Sequence, residues 1–371
     1  MFALGLAACT TRRAPAWESH APELTTARAS LVLLGDTAGG GRAAQTVARQ
    51  VDDVLTRQPG AIVLWLGHHA ARERCRPALR PGTRALREVV ERHRRRGGAS
   101  FAIPGPHEWR CGTTRAAGPW VVPATHYVVS LARDGTSEVT LRCDLDGCTA
   151  TPPTRPVWLE LVFLDWAPWL APVPESDRTL AASARLLAEL RRRDASHPPR
   201  ILVGHAPVEA AGTRGVGGWS PDATFHALPP ALQQALLDGM FVGAIGGRDG
   251  ASYADDDIAP AVARSDKRWL PHGVFEVVSG AAAHPDARRG RGWRYGTSLA
   301  FLPDVYTPAP SFAMVLLGVE SRALVFSRHH GRWHHAAIPL TLAPAPLGAE
   351  RSLPPMAPCL RCPAVPASQR P

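Results

Sequence analysis

Five short apolar segments of this sequence each run into a glycine, and a residue that can carry charge or bind metal follows within three positions. Those residues are Asp36, His68, His107, His205 and the pair Arg248–Asp249. Carboxylate oxygens and imidazole nitrogens are common ligands of divalent metals, and histidine also transfers protons near neutral pH. The pattern therefore indicates a site for metal chemistry, for acid–base chemistry or for binding an anion.

The segments between these residues alternate between strand and helix patterns. Ser30–Leu34, Ala61–Leu66 and Phe101–Pro104 are short apolar runs typical of buried strands, and helical spacing fills Ala43–Leu55 and Leu86–His93. Strands that alternate with helices predict an α/β fold, in which ligands collect at the carboxyl ends of the strands. The charged and imidazole residues of the first half follow these strand ends directly.

The second half continues the same plan. The predicted strands are Val139–Cys143, Val157–Leu164, Arg200–Val203, Phe241–Ile245, Val274–Ser279, Phe312–Val319 and Ala323–Ser327, and the predicted helices are Ser176–Arg193 and Pro229–Leu237. The loops 212–225 and 253–267 are long enough to form the sides of the site. Four histidines flank Gly331-Arg332-Trp333, and apolar runs on both sides predict a surface β-hairpin there in preference to a metal tract.

The order of the strand-end motifs resembles the calcineurin-like metallophosphoesterases, most closely their purple acid phosphatase branch, over about Leu31 to Arg328. That family carries Gly-Asp, Gly-Asp, Gly-Asn-His-Asp/Glu, Gly-His and Gly-His-x-His blocks, which hold two metal ions around a phosphate ester. The corresponding segments here are 35–36, 67–69, 105–108, 204–205 and 246–249. The resemblance implies a four-layer α-β-β-α sandwich of two mixed sheets and the scaffold of a phosphoric ester hydrolase.

Several ligands of that family are missing from the matching blocks. His68 stands where the bridging carboxylate is expected, Pro106 replaces the ligating asparagine, and Gly247 replaces the first histidine of the last block. Ala71 stands where purple enzymes have a ligating tyrosine. A neutral imidazole offers one lone pair in the ring plane, so His68 cannot bridge two cations as a carboxylate does.

Three functional hypotheses follow. The first is a catalytically impaired or inactive phosphatase homologue that binds phosphate-like anions without a cofactor, through Arg248, His107 and His68, because arginine matches phosphate geometry. The second is an active hydrolase with one zinc, manganese or iron ion, in which His107 is the acid or the phosphate-binding residue. Its metal ligands would be Asp36, His68, His205 and Asp249. The third is a surface lipoprotein that acts as a binding module.

Each candidate residue also has an ordinary structural interpretation. Asp36 would cap the following helix or bind loop amides. His107 would be a hydrogen-bonded core histidine, and His205 would be a relic whose partner ligands are gone. His68 and Asp249 would be plain loop residues.

The N-terminus ends its first apolar stretch in Leu6-Ala7-Ala8-Cys9, which resembles the lipobox of bacterial lipoproteins. A basic segment before that stretch is absent, so a chance Ala/Leu-rich start is the alternative. With the lipobox, we expect lipidation at Cys9 and a location in the bacterial cell envelope. The chain would then divide into a signal remnant and tether over 1–29, a folded domain over 30–341 and a Pro-rich tail over 342–371.

The remaining six cysteines are an even number, which suits an oxidising compartment. Six cysteines allow fifteen connectivities. Cys143 with Cys148 and Cys359 with Cys362 are natural local pairs, which leaves Cys75 with Cys111.

The formal charge of +10 is compatible with an anionic partner, such as a small phosphate ester, but solubilisation by scattered arginines is the favoured interpretation. The arginines are scattered and aromatic residues do not alternate with them, so we expect no nucleic-acid binding. Beyond the start, the sequence has no apolar run long enough to span a bilayer, so any membrane contact would use the lipid anchor. We expect a monomer.

Overall fold

The computed structural model of this chain contains two β-sheets with helices packed against them. The structure describes residues 27–37, 41–67, 81–112, 118–170, 176–193, 198–208, 225, 228–247, 252–258, 273–280, 305–307, 309–329 and 332–342.

The described chain contains fifteen strands and six helices. The strands are β1 (Ala29–Leu34), β2 (Ile62–Leu66), β3 (Ala99–Ile103), β4 (His126–Ala132), β5 (Ser137–Cys143), β6 (Cys148–Ala150), β7 (Val157–Phe163), β8 (Arg200–Val203), β9 (Gly243–Gly246), β10 (Ser252–Asp255), β11 (Phe275–Ser279), β12 (Val305–Thr307), β13 (Ser311–Leu317), β14 (Ser321–His329) and β15 (Arg332–Leu340). The helices are α1 (Arg42–Arg57), α2 (Pro81–Arg95), α3 (Pro106–Arg110), α4 (Ala167–Leu170), α5 (Ser176–Arg192) and α6 (Pro230–Leu237).

Both sheets are mixed. The first has six strands in the order β15-β14-β13-β1-β2-β3, and the second has nine in the order β12-β10-β11-β9-β8-β7-β4-β5-β6. In the first sheet β1, β2 and β3 are parallel. In the second, β7, β8, β9 and β11 are parallel. The parallel strands of each sheet therefore direct their carboxyl ends to one edge.

Alternation along the strands places one apolar face of each sheet against the other sheet. Leu31 and Leu33 of β1 lie in the same buried cluster as Leu161 and Phe163 of β7. Side chains on the opposite faces pack on helices: β1 and β2 contact α1 and α2, whereas β7 and β8 contact α5 and α6. The three clusters thus order the layers as helices, sheet, sheet and helices, which is an α/β sandwich.

Most predicted strands and all four predicted helices are found close to their expected positions. The histidine-rich hairpin prediction is also confirmed, because β14 and β15 pair antiparallel up to His329 and Arg332. Four strands were missed, namely β4, β6, β10 and β12. The sequence analysis made no assignment for β4, and it treated 253–267 as a loop although Ser252–Asp255 forms β10 between β11 and β12. β4 contains His126 and Ser130, and β10 is only four residues long, so neither shows a clear apolar pattern.

One predicted disulfide is confirmed. Cys143 and Cys148 are bonded across the antiparallel pair of β5 and β6, with their Cα atoms 4.1 Å apart. Cys111 is also disulfide-bonded. The remaining cysteines of the predicted pairs and the lipidation candidate lie outside the described residues; these are Cys9, Cys75, Cys359 and Cys362. In the part of the chain that the structure describes, no helix is both long and apolar enough to cross a membrane.

Truncating the aromatic stack between the sheets should strongly destabilise the fold. Phe163 is fully buried and stacks on Tyr127 at a centroid distance of 4.3 Å. We expect Phe163→Ala to lower the free energy of unfolding by about 3–5 kcal/mol, because it leaves a cavity in the inter-sheet core. Val319→Ala is the control, since Val319 is 90% exposed and should change stability by less than about 0.5 kcal/mol. Urea denaturation measures both, and equal effects would contradict the core assignment.

Candidate functional site

The carboxyl ends of the parallel strands from both sheets meet in backbone-to-backbone contact, and glycine makes this possible. A Cβ on Gly35, after β1, would lie 1.8 Å from the carbonyl oxygen of Ser279 and 2.6 Å from that of Gly247. A Cβ on Gly247 would lie 2.4 Å from Cβ of Leu66 at the end of β2. Real Cβ atoms do not approach other atoms so closely, so any larger residue at these two positions would push the sheets apart.

Two side-chain hydrogen bonds tie the sheets together at this edge. Ser279 at the end of β11 donates from its hydroxyl to the carbonyl oxygen of Leu33, at 2.8 Å. His205, which follows β8, is hydrogen-bonded through Nδ1 to the carbonyl oxygen of Leu66, also at 2.8 Å. All of these groups are buried, and buried hydrogen bonds of this kind fix the relative position of the two strand ends.

Two glycines lie close against the ring of His205. A Cβ on Gly67 would lie 2.3 Å from its Nδ1, and a Cβ on Gly105 would lie 2.9 Å from both Cε1 and Nε2. Because the carbonyl of Leu66 can only accept, Nδ1 must carry the proton. The neutral ring therefore has its lone pair on Nε2, which is the tautomer that metal-binding histidines use.

Asp36 lies at the end of β1 in a backbone conformation that most residues avoid. Its φ is 50°, and it is the one non-glycine residue with positive φ among the described residues. Asparagine and aspartate tolerate this region best, and strain of this kind is concentrated at functional sites. The next residue, Thr37, is fixed by hydrogen bonds from Trp65 Nε1 to its hydroxyl and from the Thr83 hydroxyl to its carbonyl.

The suggestion that Asp36 caps the following helix is wrong. The N-cap of α1 is Gly41, and no side chain caps it. Asp36 is separated from that position by four residues and belongs to the strand end.

The third motif forms the first turn of α3. Gly105 is the residue before the helix, Pro106 is its first residue, and the carboxylate of Glu108 accepts a hydrogen bond from the Gly105 N–H at 2.7 Å. Proline is favoured at this first position, and a glutamate at the third position closes a capping interaction. Pro106 and Glu108 thus serve the helix start. His107 lies in α3, and its side chain is outside the described residues.

A buried polar network beside this turn was missed by the sequence analysis. Trp109 Nε1 donates to the carboxylate of Asp165 at the end of β7, and the Asp165 N–H donates to Nδ1 of His126 at 3.0 Å. Nε2 of His126 donates to the carbonyl of Thr179 in α5, at 2.9 Å. Desolvation by complete burial, which outweighs the hydrogen bond to Thr179, lowers the pKa of His126 to about 4. The strand-end position of Asp165 was visible in the sequence, but nothing in the sequence marked His126.

The structure places only part of the predicted metal set. Asp36 follows β1 and His205 follows β8, both at the edge where the two sheets meet, whereas His68, Arg248 and Asp249 lie outside the described residues. Among the described residues, no group of three or more His, Cys, Asp or Glu side chains is arranged to hold a metal ion. Pro106 and Gly247 supply no ligand, so the residues that are described do not fit a two-metal centre.

Comparisons with known proteins give a fold but no family. No family model matches this chain, and no curated protein matches it. Among solved structures, the chain is similar to GAP50, the anchor in the inner membrane complex of Plasmodium, with a TM-score of 0.56 and 13% sequence identity. The alignment covers 85% of this chain and 90% of that chain. At this identity the likeness shows a shared fold alone.

Replacing Gly67 should disturb His205 specifically. Gly67 and Gly97 both have positive φ, 73° and 90°, but a Cβ on Gly97 would have no atom within 4 Å. We expect Gly97→Ala to cost about 1 kcal/mol from backbone strain alone, and Gly67→Ala to cost a further 1–3 kcal/mol, roughly, because its Cβ overlaps the imidazole. Urea denaturation compares the two variants, and equal costs would show that His205 is not held against Gly67.

The buried His126 should make the fold sensitive to acid. Its pKa falls from 6.5 to about 4 in the folded protein, so between these values only the unfolded chain takes up the proton. The stabilisation is complete above pH 6.5 and is lost as the pH falls towards 4, by roughly 3 kcal/mol at most. Burial also lowers the pKa of His93, so His126→Gln should reduce this dependence without abolishing it.

Denaturation from pH 7 to pH 4 measures the effect. Trp109→Phe is the control, because it removes the hydrogen bond to Asp165 but leaves His126 in place. It should lower stability at every pH while keeping the wild-type slope. A His126→Gln variant with an unchanged slope would assign the acid sensitivity to other groups.

Proposed function

We propose that this chain is a catalytically impaired relative of the calcineurin-like metallophosphoesterases, near the purple acid phosphatase branch, and that its strand-end pocket binds phosphate-like anions. The contact between Gly247 and Leu66 carries this proposal. At the position where the family has a metal-binding histidine, the backbone of β9 lies so close to β2 that a Cβ would sit 2.4 Å from Leu66 Cβ and 2.6 Å from the Leu66 carbonyl oxygen.

The architecture supports the relationship. Two mixed sheets between two helical layers are what the resemblance implies. The five motif segments follow β1, β2, β3, β8 and β9, and the described parts of these segments lie side by side through the contacts of Gly35, Gly67, Gly105 and Gly247. Motifs that are far apart in sequence but adjoin at one sheet edge are expected of a common site.

The details of the same edge argue against two-metal hydrolysis. A two-metal site needs a bridging carboxylate and several further ligands to stabilise the attacking and leaving oxygens. Pro106 is occupied as the first residue of α3, and no side chain fits at Gly247 without moving Leu66. The missing ligands are therefore replaced by groups that have structural roles.

The residues that follow the strand ends suit an anion. His68 and Arg248 come directly after Gly67 and Gly247, and Arg248 would add a guanidinium whose donors match a phosphate. If the His205 ring is protonated, its Nε2–H would donate a hydrogen bond to the anion, while its Nδ1–H donates to the carbonyl of Leu66. The carboxylate of Asp36 opposes this attraction, so we expect weak binding.

A one-metal hydrolase is the second candidate, and the fixed tautomer of His205 favours it. Nδ1 of His205 donates a hydrogen bond to the Leu66 carbonyl, so the lone pair of the neutral ring lies on Nε2. Metal-binding histidines have the same arrangement, in which the second ring nitrogen is hydrogen-bonded. Asp36 would be the second ligand, and His68 and Asp249 would complete the set. A bound zinc, manganese or iron ion would supply Lewis-acid chemistry at this position.

Metal content and activity separate the two candidates. We expect purified protein to contain well below one equivalent of metal, to bind inorganic phosphate in calorimetry equally with and without a chelator, and to leave p-nitrophenyl phosphate intact when zinc, manganese or iron is added. One equivalent of metal, with hydrolysis lost on chelation and in Asp36→Ala, would replace our proposal with the one-metal hydrolase.

A histidine introduced at position 247, where the family has a metal ligand, should not create a metal site. Gly247→His should bind no metal and should lower the free energy of unfolding by about 1–3 kcal/mol, because its Cβ overlaps Leu66. Gly60→His is the matched control, since a Cβ on this exposed turn residue would have no atom within 4 Å. Thermal unfolding and elemental analysis measure both variants. A stable Gly247→His that gains metal would show that the strand ends readily make room for a ligand.

A further inference from the structure

A row of buried polar side chains crosses the helix-facing side of the second sheet, at the end of β8 opposite to His205. Arg200 begins β8 and pairs in register with Glu160 of β7, which pairs in turn with Ser130 of β4. The Ser130 hydroxyl lies 2.7 Å from the hydroxyl of Thr140 on β5. All four side chains are buried, on a face where neighbouring positions are apolar and covered by α5 and α6.

Not every N–H donor of the Arg200 guanidinium has an acceptor among the described residues. Nε donates to the Glu160 carboxylate at 2.8 Å and Nη1 donates to the carbonyl of Leu190 at 3.3 Å. For Nη2, by contrast, no acceptor among the described residues lies within hydrogen-bond distance, although Arg200 is only 1% exposed. A buried charged donor without an acceptor is costly, and native structures rarely leave one unexplained. Burial also lowers the pKa of Arg200, against the opposing effect of Glu160.

This polar row is the floor of a cavity of about 540 Å³. That volume lies in the range of small-molecule sites in proteins. The cavity walls are mostly apolar, and four prolines contribute to them: Pro152, Pro153, Pro156 and Pro198. The cavity is not enclosed, so a ligand can reach it from solvent.

The outer wall is held in place by polar contacts. The Thr151 N–H donates to the Thr140 carbonyl at 2.9 Å. The Thr154 N–H donates to the Glu138 carboxylate at 2.8 Å, and the Thr154 hydroxyl donates to the same group. Arg155 pairs with Asp134. The cavity is therefore formed before any ligand arrives, which lowers the entropic cost of binding.

The charged side chains at the bottom of the cavity favour a ligand that carries one negative charge. Arg193 at the end of α5 lies 3.3 Å from the second oxygen of Glu160, so two guanidinium groups share one carboxylate. One positive charge is left uncompensated on the floor. A monoanion bound beside the two guanidinium groups would neutralise it.

We propose that this cavity binds a small organic carboxylate, with the carboxylate beside Arg193 and Arg200 and its apolar body against the prolines. The site is separate from the strand-end pocket, because the five residues from Arg200 to His205 place the two on the order of 15 Å apart along the strand. It does not depend on the phosphatase-like proposal.

Titration with benzoate and benzamide tests this site. The two probes have the same ring, but only benzoate carries charge, so we expect saturable benzoate binding in calorimetry and at least about ten-fold weaker binding of benzamide. Arg193→Gln should weaken benzoate binding several-fold. Arg191→Gln is the matched control, because Arg191 lies on the same helix end but pairs with Asp238, and it should bind benzoate like the wild type.

Arg200→Gln should reduce benzoate binding to the level of benzamide. If that variant does not fold, Glu160→Gln combined with Arg200→Gln removes both buried charges and should likewise abolish the preference for benzoate, with folding checked by circular dichroism. The proposal is overturned by an absence of saturable benzoate binding. Equal binding of benzamide also overturns it, as does unchanged benzoate binding in both Arg193→Gln and the folded Arg200 variant.

Discussion

The close approach of strand ends from two different sheets is the constraint on which the rest of this structure depends. Gly35, Gly67, Gly105 and Gly247 let backbones and the ring of His205 occupy space that any side chain would fill. The hydrogen bonds from His205 to Leu66 and from Ser279 to Leu33 then fix the contact from both sides. Loosening this edge would alter the spacing of the sheets, the conformation of Asp36 and the start of α3 together.

The sequence predicted the α/β class of the fold and the strand ends at which the candidate site lies. Short apolar runs ending in glycine are a local signal, and they located β1, β2, β3, β8 and β9 with their carboxyl ends. Glu108 also had a local signal, since a glutamate three residues after the residue that precedes a helix is typical of capping, but its motif suggested chemistry instead. His126 carried no such signal, because its hydrogen bonds join it to Asp165 and Thr179, which are remote in sequence, and because the burial that lowers its pKa exists only in the folded chain.

What the sequence could not supply was contact between elements. The glycine at position 247 was visible in the sequence, but the lack of space for a side chain there depends on Leu66 in the other sheet. Likewise, Arg200 and Glu160 are forty residues apart and become neighbours only through the register of β7 and β8. Long-range pairing of this kind is set by the whole fold, and no window of the sequence contains it.

The contact between Gly247 and Leu66 also limits the mutational paths open to this protein. A histidine at 247 is harmful while Leu66 is present, and a smaller residue at 66 leaves a cavity while 247 is glycine. The two changes are thus each unfavourable alone and can be tolerated only together, which is strong non-additivity between neighbouring sites. A side chain can therefore be introduced at this strand end only by a paired change at positions 66 and 247, and neither single substitution leads there without a loss of stability.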